Sequence, residues 1–436
     1  MRQPTELYSP QGLMGLNRRL APLMGTEPPV SPGNPLVGRV AVIAGLEGKV
    51  SLLQVAKGGI GRIQLWLGEI RTFLEEAPSK DAPMAPSVAN QFLEDRLRQI
   101  EGITQAVSFA GRALLNGKSG ITGAAEGAGL QFVRGSARTL SSIGKGYPVS
   151  IDETARPASL LGTQPAVPSV LAQERWITLK EGGVEARYKV LGHEEPKELV
   201  YNLQRVMEEA GLDITVFLTR DQRLLFLHNQ LGSGPKFEGT SQATRLVSGL
   251  PGEPMPSMAG RDLIGSIGTE PAQGSGAFLV GNRGNARTEG LIVYYDGPVQ
   301  YPGQVVGYVT VTQNGILVPL DLKGQEVELL SLPQLSPSTQ AIGVRNPSGF
   351  QCLSQIRAGS AKERWDAHKL VLRALADLSE LAEELKWKEE VYVQKALDLL
   401  RQNPAEESAT KALLGLSTEK AQQMALDLKT LFKKLA

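Results

Sequence analysis

Apolar side chains recur at steps of three and four residues along Ala361–Leu400, with mostly charged or polar residues between them. This seven-residue repeat predicts one long helix with a single apolar stripe, interrupted only at Glu389. Because such a helix cannot bury its stripe alone, we expect partner helices of similar length elsewhere in the chain. The stripe consists of Val371, Leu375, Leu378, Ala382, Leu385, Tyr392, Ala396 and Leu399.

Two earlier stretches repeat the same spacing. Val42–Ala77 predicts a first helix, although three glycines near its middle each cost about 1 kcal/mol relative to alanine. Ser87–Leu115 predicts a second helix, with Ser87 as its N-cap. Three helices of comparable length predict a bundle. Its expected core comprises Leu46, Val50, Leu53, Ile60, Ile63, Leu67, Ile70, Leu93, Leu97, Ile100, Val107, Leu375, Leu378 and Leu385.

The middle of the chain follows a different pattern, with short alternating or apolar runs bounded by Gly, Pro, Asn and Asp. Such runs predict antiparallel strands and tight turns. The helix Pro196–Ala210 and the hairpins on each side of it predict a small α+β module at about 170–248. Gly249–Gly276 is rich in Gly, Pro, Ser and Met, which indicates a linker or irregular loop. The predicted fold class is α+β, with a long antiparallel helical bundle from the two chain ends and an inserted β-rich middle.

The two termini differ from the predicted core. Residues 1–41 contain many prolines, which exclude a long helix and predict an irregular or disordered arm. Residues 42–119 and 301–403 are expected to form the two halves of the helical core domain, and 120–300 the insertion. Residues 404–436 predict a final amphipathic helix, separated from the long one by Asn403 and Pro404. Its seam contains Leu414, Met424, Leu428, Leu431 and Leu435.

The composition excludes several classes of partner and site. The chain has 436 residues, 46 basic and 45 acidic, so its net charge of +1 gives no reason to expect nucleic acid or an anionic membrane. No apolar run is long enough to span a bilayer, and the N-terminus lacks the apolar segment of a cleaved signal peptide. Cys352 is the only cysteine, so an intrachain disulfide and a cysteine metal cluster are impossible.

No set of residues predicts a catalytic, cofactor or metal site. The segment Gly111–Ser119 has five residues between its glycines where a phosphate-binding loop has four, and it ends a predicted helix rather than opening one. We interpret it as a helix-terminating turn. His193, His228 and His368 have no metal-ligand spacing. The sequence therefore predicts a protein that is not an enzyme and uses no cofactor.

The layout and several segments resemble bacterial flagellin. Lys49–Ala77 and Ile100–Gly117 are similar to the first two helices of the flagellin core domain, and Val306–Pro333 is similar to its hairpin. Ser348–Leu385 resembles the start and body of the C-terminal helix, and Gly260–Gly297 resembles a variable region of one flagellin subgroup. The resemblance covers about residues 42–401 in order.

This resemblance implies a structural subunit that assembles through its helical core into or onto the flagellar filament. Other flagellin subunits are the implied partners, with a flagellar export chaperone on the C-terminal helix. Export to the extracellular flagellum without a cleaved signal peptide is implied as well. No nucleic acid and no membrane insertion are expected. Arg71 is carried over as a possible subunit contact.

The chain departs from the flagellin pattern at both ends. Flagellins begin with a long helix that pairs with the C-terminal helix, whereas this N-terminus is rich in proline. The C-terminal helix carries Lys411, Lys420, Lys429, Lys433 and Lys434. These departures keep a second interpretation open. The chain could be a relative of flagellin that does not polymerise alone, such as a junction or adaptor protein or a minor subunit.

Overall fold

The computed structural model describes residues 35–76, 85–321 and 325–401. This part of the chain contains both helices and strands, with long helices toward its two ends and a large β-sheet region between them. Residues 1–34 of the predicted arm 1–41, and the predicted helix 404–436, lie outside the described residues, whereas residues 35–41 belong to a helix and not to an arm. The helices are α1 (Pro35–Glu75), α2 (Pro86–Ala106), α3 (Pro168–Leu171), α4 (Pro196–Ala210) and α5 (Ala361–Arg401).

The strands that the structure describes occupy the region between α2 and α5 and form five sheets. They are β1 (Ser108–Phe109), β2 (Arg112–Ala113), β3 (Ile121–Glu126), β4 (Leu130–Arg134), β5 (Tyr147–Glu153), β6 (Pro157–Leu161), β7 (Trp176–Glu181), β8 (Val184–Lys189), β9 (Ile214–Leu218), β10 (Leu224–Leu231), β11 (Phe237–Ser241), β12 (Met255–Pro256), β13 (Ile264–Ile267), β14 (Glu270–Ser275), β15 (Phe278–Gly281), β16 (Ile292–Tyr295), β17 (Gln304–Gln313), β18 (Ile316–Pro319) and β19 (Val327–Leu330).

The largest sheet has eight antiparallel strands in the order β3-β17-β5-β13-β14-β15-β16-β4. Its edge strands β3 and β4 contact each other, so one face encloses a separate core that includes Val149, Ile151 and Val309. Gly123 on β3 permits this approach, since a Cβ there would lie 2.5 Å from the ring of Phe132 on β4.

The expectation of a linker or irregular loop at Gly249–Gly276 is wrong for the second half of this stretch, whereas residues 249–254 are turns, bends and irregular backbone. This stretch supplies β12, β13 and β14, and the last two are interior strands of the eight-stranded sheet. Glycines in its strands mark close backbone approaches, because a Cβ on Gly274 would lie 1.7 Å from the carbonyl oxygen of Leu263 and one on Gly265 would lie 2.2 Å from that of Ser150.

The α+β module contains α4 between a four-stranded sheet (β12-β11-β7-β8) and a three-stranded sheet (β6-β10-β9). Its core begins at β6, before the predicted boundary at residue 170, since Ala158 and Leu160 are buried within it. The apolar stripe Leu199, Leu203 and Met207 of α4 faces this core. Helix α4 spans Pro196–Ala210, the predicted range, and ends at Gly211 with a φ of 87°.

Both N-terminal helices differ from prediction at their ends. Helix α1 begins at Pro35 rather than Val42, and proline is favoured at a first helical position, where its missing N–H group costs nothing. Helix α2 begins at Pro86, so its N-cap is Ala85 rather than Ser87.

Helix α2 ends at Ala106 rather than Leu115. The segment after it forms the β1–β2 hairpin, whose turn residues Ala110 and Gly111 have φ angles of 50° and 82°. Two successive positive φ angles specify a tight hairpin turn that helical periodicity cannot reveal. The predicted helix-terminating turn at Gly111–Ser119 is therefore part of a hairpin and the loop after it.

One hydrophobic core joins α1, α2, α5, the β18–β19 hairpin and the loops that lead into α5. Fully buried Leu and Ile side chains of this kind contribute about 1.5–3 kcal/mol each. The residues proposed from the sequence lie here. Leu46, Leu53, Ile60, Ile63, Leu67, Ile70, Leu93, Leu97, Ile100, Val107, Leu378 and Leu385 are buried, and Val50 and Leu375 are partly buried against the same core.

The glycines of these helices have different roles. A Cβ on Gly59 of α1 would lie 2.8 Å from both Leu115 Cδ1 and Val107 Cγ2, so glycine is what lets the segment after α2 pack against α1. A Cβ on Gly102 of α2 would meet no atom within 4 Å.

Alanine substitutions at these two glycines should have opposite effects. Gly59→Ala overpacks a buried contact and should lower the free energy of unfolding by about 1–3 kcal/mol. Gly102→Ala fills open space on a helix and should raise that free energy by about 0.5–1 kcal/mol. Urea denaturation of both variants measures the difference. Equal effects of the same sign would contradict the close approach at Gly59.

Candidate subunit-contact surface

Helices α1 and α5 are paired along most of their length and run in opposite directions. Side-chain hydrogen bonds join Gln54 to Glu389 at 2.8 Å and Gln64 to Ser379 at 3.2 Å. His368 lies 3.1 Å from Glu75. Each residue forward along α1 is therefore matched by one residue backward along α5, which gives the antiparallel pair a one-to-one register.

Glu389 is the one polar interruption of the α5 seam, and the structure explains it. Its carboxylate accepts hydrogen bonds from Gln54 and from the Lys57 ammonium group of α1. The side chain is only 19% exposed, so the ion pair with Lys57 is poorly screened by solvent. A like-sized apolar residue would lose both bonds, and therefore the interruption fixes the register of the two helices.

The β18–β19 hairpin is held on α5 by two ion pairs. Lys388 Nζ lies 2.6 Å from Glu328, and Lys395 Nζ lies 2.8 Å from Glu326. The inner face of the hairpin is buried in the helical core, while Leu317 and Val327 on its outer face are 67% and 48% exposed. This outer face is an apolar surface that a neighbouring protein could cover.

Arg71 lies on the surface near the C-terminal end of α1. Its guanidinium group is 3.5 Å from the Glu75 carboxylate one turn later, and both side chains are about half exposed. An exposed pair of this kind contributes little to stability, about 0–1 kcal/mol, so Arg71 remains available to a partner.

The contact between α5 and the α+β module is formed by residues that the sequence patterns do not single out. Lys369 of α5 forms a hydrogen-bonded ion pair with Asp213, and the side chains are 16% and 20% exposed. Asn229 and Gln230 donate further hydrogen bonds to the Asp213 carboxylate. Trp365 of α5 lies against Gly211 at the end of α4. These residues are distant in sequence, and no spacing rule connects them.

The electrostatics of this contact favour charged Asp213. Burial alone would raise the pKa of its carboxyl group, but the charge of Lys369 and the hydrogen bonds from Lys369, Asn229 and Gln230 more than offset it. The pKa of Asp213 is therefore below its ordinary value.

A second polar junction joins the helical core to the eight-stranded sheet. Arg112 on β2 donates hydrogen bonds to the carbonyl oxygens of Lys118 and Asn314 and to Ser119 Oγ. Lys49 of α1 is 7% exposed, and burial, together with repulsion from Arg112, lowers its pKa. Neither residue was singled out from the sequence.

The potential metal ligands of the described residues are dispersed. Within residues 35–76, 85–321 and 325–401, no group of three or more His, Cys, Asp or Glu side chains is placed to hold a metal ion. Cys352 is buried. His228 contacts Glu181 at 2.6 Å within the module, far in sequence from His193 and His368. No helix in this part of the chain is long and apolar enough to cross a membrane.

The proposed C-terminal seam, Leu414, Met424, Leu428, Leu431 and Leu435, lies outside the described residues. Of the candidate contact surface, the structure therefore describes the paired helices, the hairpin and Arg71.

The sequence matches no protein-family profile, and no curated protein is significantly similar to it. Among solved structures, FliC from Burkholderia pseudomallei is 13% identical, with 78% of this chain and 98% of that chain covered and a TM-score of 0.26. The flagellar hook-associated protein HAP-3 from Legionella pneumophila is 9% identical, with coverages of 88% and 96% and a TM-score of 0.24.

FlgL from Xanthomonas campestris is 8% identical, with 92% of this chain and 99% of that chain covered and a TM-score of 0.24. These solved structures are flagellar proteins. TM-scores this low do not establish a shared fold with this chain.

Proposed function

We propose that this protein is a structural subunit of the bacterial flagellum that assembles through its helical core into or onto the filament. One observation carries the proposal. The long helices α1 and α5 come from opposite ends of the described chain and pair in one-to-one register, with all of the β structure inserted between α2 and α5. This matches the order of the segments that resemble flagellin.

The proposed mechanism is assembly rather than catalysis. Rigid helical cores that contact each other head to tail build an open helical filament when the rotation between subunits does not close a ring. The paired helices and the outer face of the β18–β19 hairpin supply the contact surfaces, and the insertion faces solvent. Export to the outside of the cell without a cleaved signal, and chaperone binding by the C-terminal segment, belong to the same proposal.

A polymerisation assay tests this function. Purified protein is mixed with a precipitating salt or with preformed flagellin filament seeds and examined by electron microscopy. Filaments of regular helical symmetry, or seeds lengthened or capped by this protein, are the expected result. A monomer that neither assembles nor binds seeds would contradict the proposal.

The proline-rich N-terminus favours a second candidate, a flagellin relative that joins a filament without polymerising alone. The same assay separates the two. Binding to seed ends without growth in the absence of seeds assigns the adaptor or minor-subunit role, whereas growth without seeds assigns the main-subunit role.

Arg71 should be required for the subunit contact. Arg71→Glu reverses a charge on the proposed surface and should slow seeded growth or weaken seed binding by about tenfold, which corresponds to about 1.4 kcal/mol. Arg98→Glu is the matched control, because Arg98 is also exposed but lies on α2. Equal behaviour of the two variants in the seeded assay would show that Arg71 is not a contact residue.

A further inference from the structure

Strand β8 lies at the edge of the four-stranded sheet, and one side of its backbone has no partner strand in the described part of the chain. Hydrogen-bonded and non-hydrogen-bonded pairs alternate along its antiparallel ladder with β7. The hydrogen bond from Val190 N to Arg175 O identifies a pair of the first kind. By this alternation, the backbone N–H and C=O groups of Glu185, Arg187 and Lys189 point away from β7.

The α+β module protects one of its edge strands and leaves this one open. On β9, the Gln204 side chain of α4 accepts a hydrogen bond from Val216 N at 3.0 Å and donates one to Ile214 O at 3.4 Å. On β8, the three residues with outward backbone groups are exposed, and no hydrogen bond within the described residues uses those groups. An open edge of this kind is a template for another strand.

The side chains along the open edge carry both signs of charge. Glu185, Arg187 and Lys189 point to the same face, since successive side chains of a strand alternate between faces. The Arg187 Cζ atom lies 4.3 Å from the centroid of the Trp176 ring, and the Glu185 carboxylate lies 3.3 Å from Lys180 Nζ. An edge with one sign of charge repels a copy of itself, whereas an edge with opposite charges two residues apart can match itself.

We propose that the open edge of β8 pairs with the same edge of a second copy of this chain. The two strands run antiparallel across a twofold axis that passes beside Ala186. Glu185 then lies opposite Arg187 of the second copy, and Arg187 lies opposite Glu185 of that copy. Because the backbone groups of both residues point outward, each of these pairs exchanges two backbone hydrogen bonds.

Charge selects this register over the neighbouring one. With the axis beside Ala186, both outward pairs join a carboxylate to a guanidinium group, and cross-strand pairs of opposite charge are favourable. A shift of the second strand by two residues would place Glu185 opposite Lys189, but it would also place Arg187 directly opposite itself. Like charges directly opposite each other are unfavourable.

The same register covers an exposed apolar side chain. Val184 is 43% exposed and lies at the start of β8, on the face that carries Ala186 and Tyr188. In the proposed pair, Val184 lies opposite Tyr188 of the second copy. This pair is of the non-hydrogen-bonded kind, which brings side chains closer together and favours contact between an aromatic and a β-branched residue.

The contact joins two inserted modules and does not depend on the proposed role in the flagellum. It uses one short strand from each copy, so the area that it buries is small and the dimer should be weak in solution. Its strength should therefore depend on protein concentration.

Reversal of single charges tests the pairing. Sedimentation velocity of the full-length protein, without precipitating salt or seeds, should show a dimer that grows with concentration. Glu185→Arg alone and Arg187→Glu alone each place like charges at both outward pairs and should weaken the dimer at least about tenfold. An equimolar mixture of the two variants makes both pairs opposite in charge again and should restore dimerisation. A wild type that stays monomeric, or a mixture no better than either variant, would overturn the proposal.

A matched control comes from another exposed ion pair of the same module. Arg205 and Glu209 lie on α4 and are 2.8 Å apart. The double variant Arg205→Glu with Glu209→Arg reverses two surface charges away from β8 and should leave the dimer unchanged. Equal loss of the dimer in this variant would show that the β8 edge is not the contact.

Cysteine trapping reads the register directly. A Glu185→Cys chain mixed with an Arg187→Cys chain should form the mixed disulfide under mild oxidation, because Cα atoms of such a pair lie about 5.5 Å apart, within disulfide range. The native Cys352 is buried and present in both chains. Preferential linkage of Arg187→Cys to itself would assign the other register and overturn this one. A protein that forms filaments yet gives no mixed disulfide would overturn the β8 contact and leave the proposed function intact.

Discussion

Replacing Tyr392 with alanine should lower the free energy of unfolding by about 3–5 kcal/mol, the range measured for aromatic residues removed from protein cores. Tyr392 is fully buried. Among the described residues with almost no exposure, it is the largest. Its ring lies in the core shared by α1, α5 and the β18–β19 hairpin. Alanine would leave a cavity that these rigid helices cannot fill by relaxation.

Tyr392→Phe is the matched control, because it keeps the ring and removes only the hydroxyl group. Burial, and then the charge of Glu328, raises the pKa of Tyr392, so the hydroxyl group is neutral at ordinary pH. We expect the free energy of unfolding of Tyr392→Phe to differ from that of the wild type by no more than about 1.5 kcal/mol. Urea denaturation followed by circular dichroism measures both variants. An alanine variant as stable as the phenylalanine variant would show that the C-terminal half of α5 is not part of the cooperative core.

The second large effect should come from Lys369→Met. This change leaves the Asp213 carboxylate in a mostly buried position without its counter-charge. Removing one partner of a buried ion pair lowers the free energy of unfolding by about 3–5 kcal/mol. Because both side chains are partly exposed, we expect a smaller decrease here, about 2–4 kcal/mol. The contact between α5 and the α+β module should loosen. Limited proteolysis would then cut between the module and the helical core faster than in the wild type.

The double variant Lys369→Met with Asp213→Asn tests the pair itself. Removing both charges avoids an unpaired buried charge, so the double variant should be more stable than the sum of the two single changes predicts. Strict additivity of the two effects would show that the charges do not interact.

This ion pair also predicts a pH dependence with a definite sign. The folded pKa of Asp213 is lowered, so the pair stabilises the protein above the unfolded value of about 3.9. That stabilisation disappears as the pH falls through the lower folded pKa. The difference in unfolding free energy between wild type and Lys369→Met should therefore be largest near neutral pH and shrink below about pH 4. A difference that stayed constant from pH 7 to pH 3 would contradict this role.

The helices could be predicted from the sequence because their signal is local. The stripe of α5 repeats at steps of three and four residues, and Glu389 is its one polar member. The stripe of α1 has the same period, so the spacing along the sequence predicts an apolar face that needs a partner. The range of α4 is predicted for the same reason, since Pro196 and Gly211 mark its two ends. The position of Glu389 in the seam is also visible in the sequence, but its two partners on α1 are not.

The β-rich insertion was harder to predict because its decisive contacts are not local. Gly249–Gly276 has the composition of a linker, yet its strands β13 and β14 are held by neighbours on both sides. The β1–β2 hairpin depends on two positive φ angles, one at an alanine, and spacing does not reveal them. In both places, tertiary packing overrides the local preference of the chain.

Apolar spacing alone dictates that the two amphipathic helices at opposite ends must find partners, because an apolar stripe in water is unfavourable whatever surrounds it. How the helices meet depends on the folded chain. Glu389 with Gln54 and Lys57 fixes their register, and Asp213 with Lys369 joins the inserted module to α5. Such polar contacts depend on angstrom-scale geometry between residues that are more than 150 positions apart. Hydrophobic burial has no direction and can be predicted from spacing, whereas these pairings require the three-dimensional arrangement of the elements.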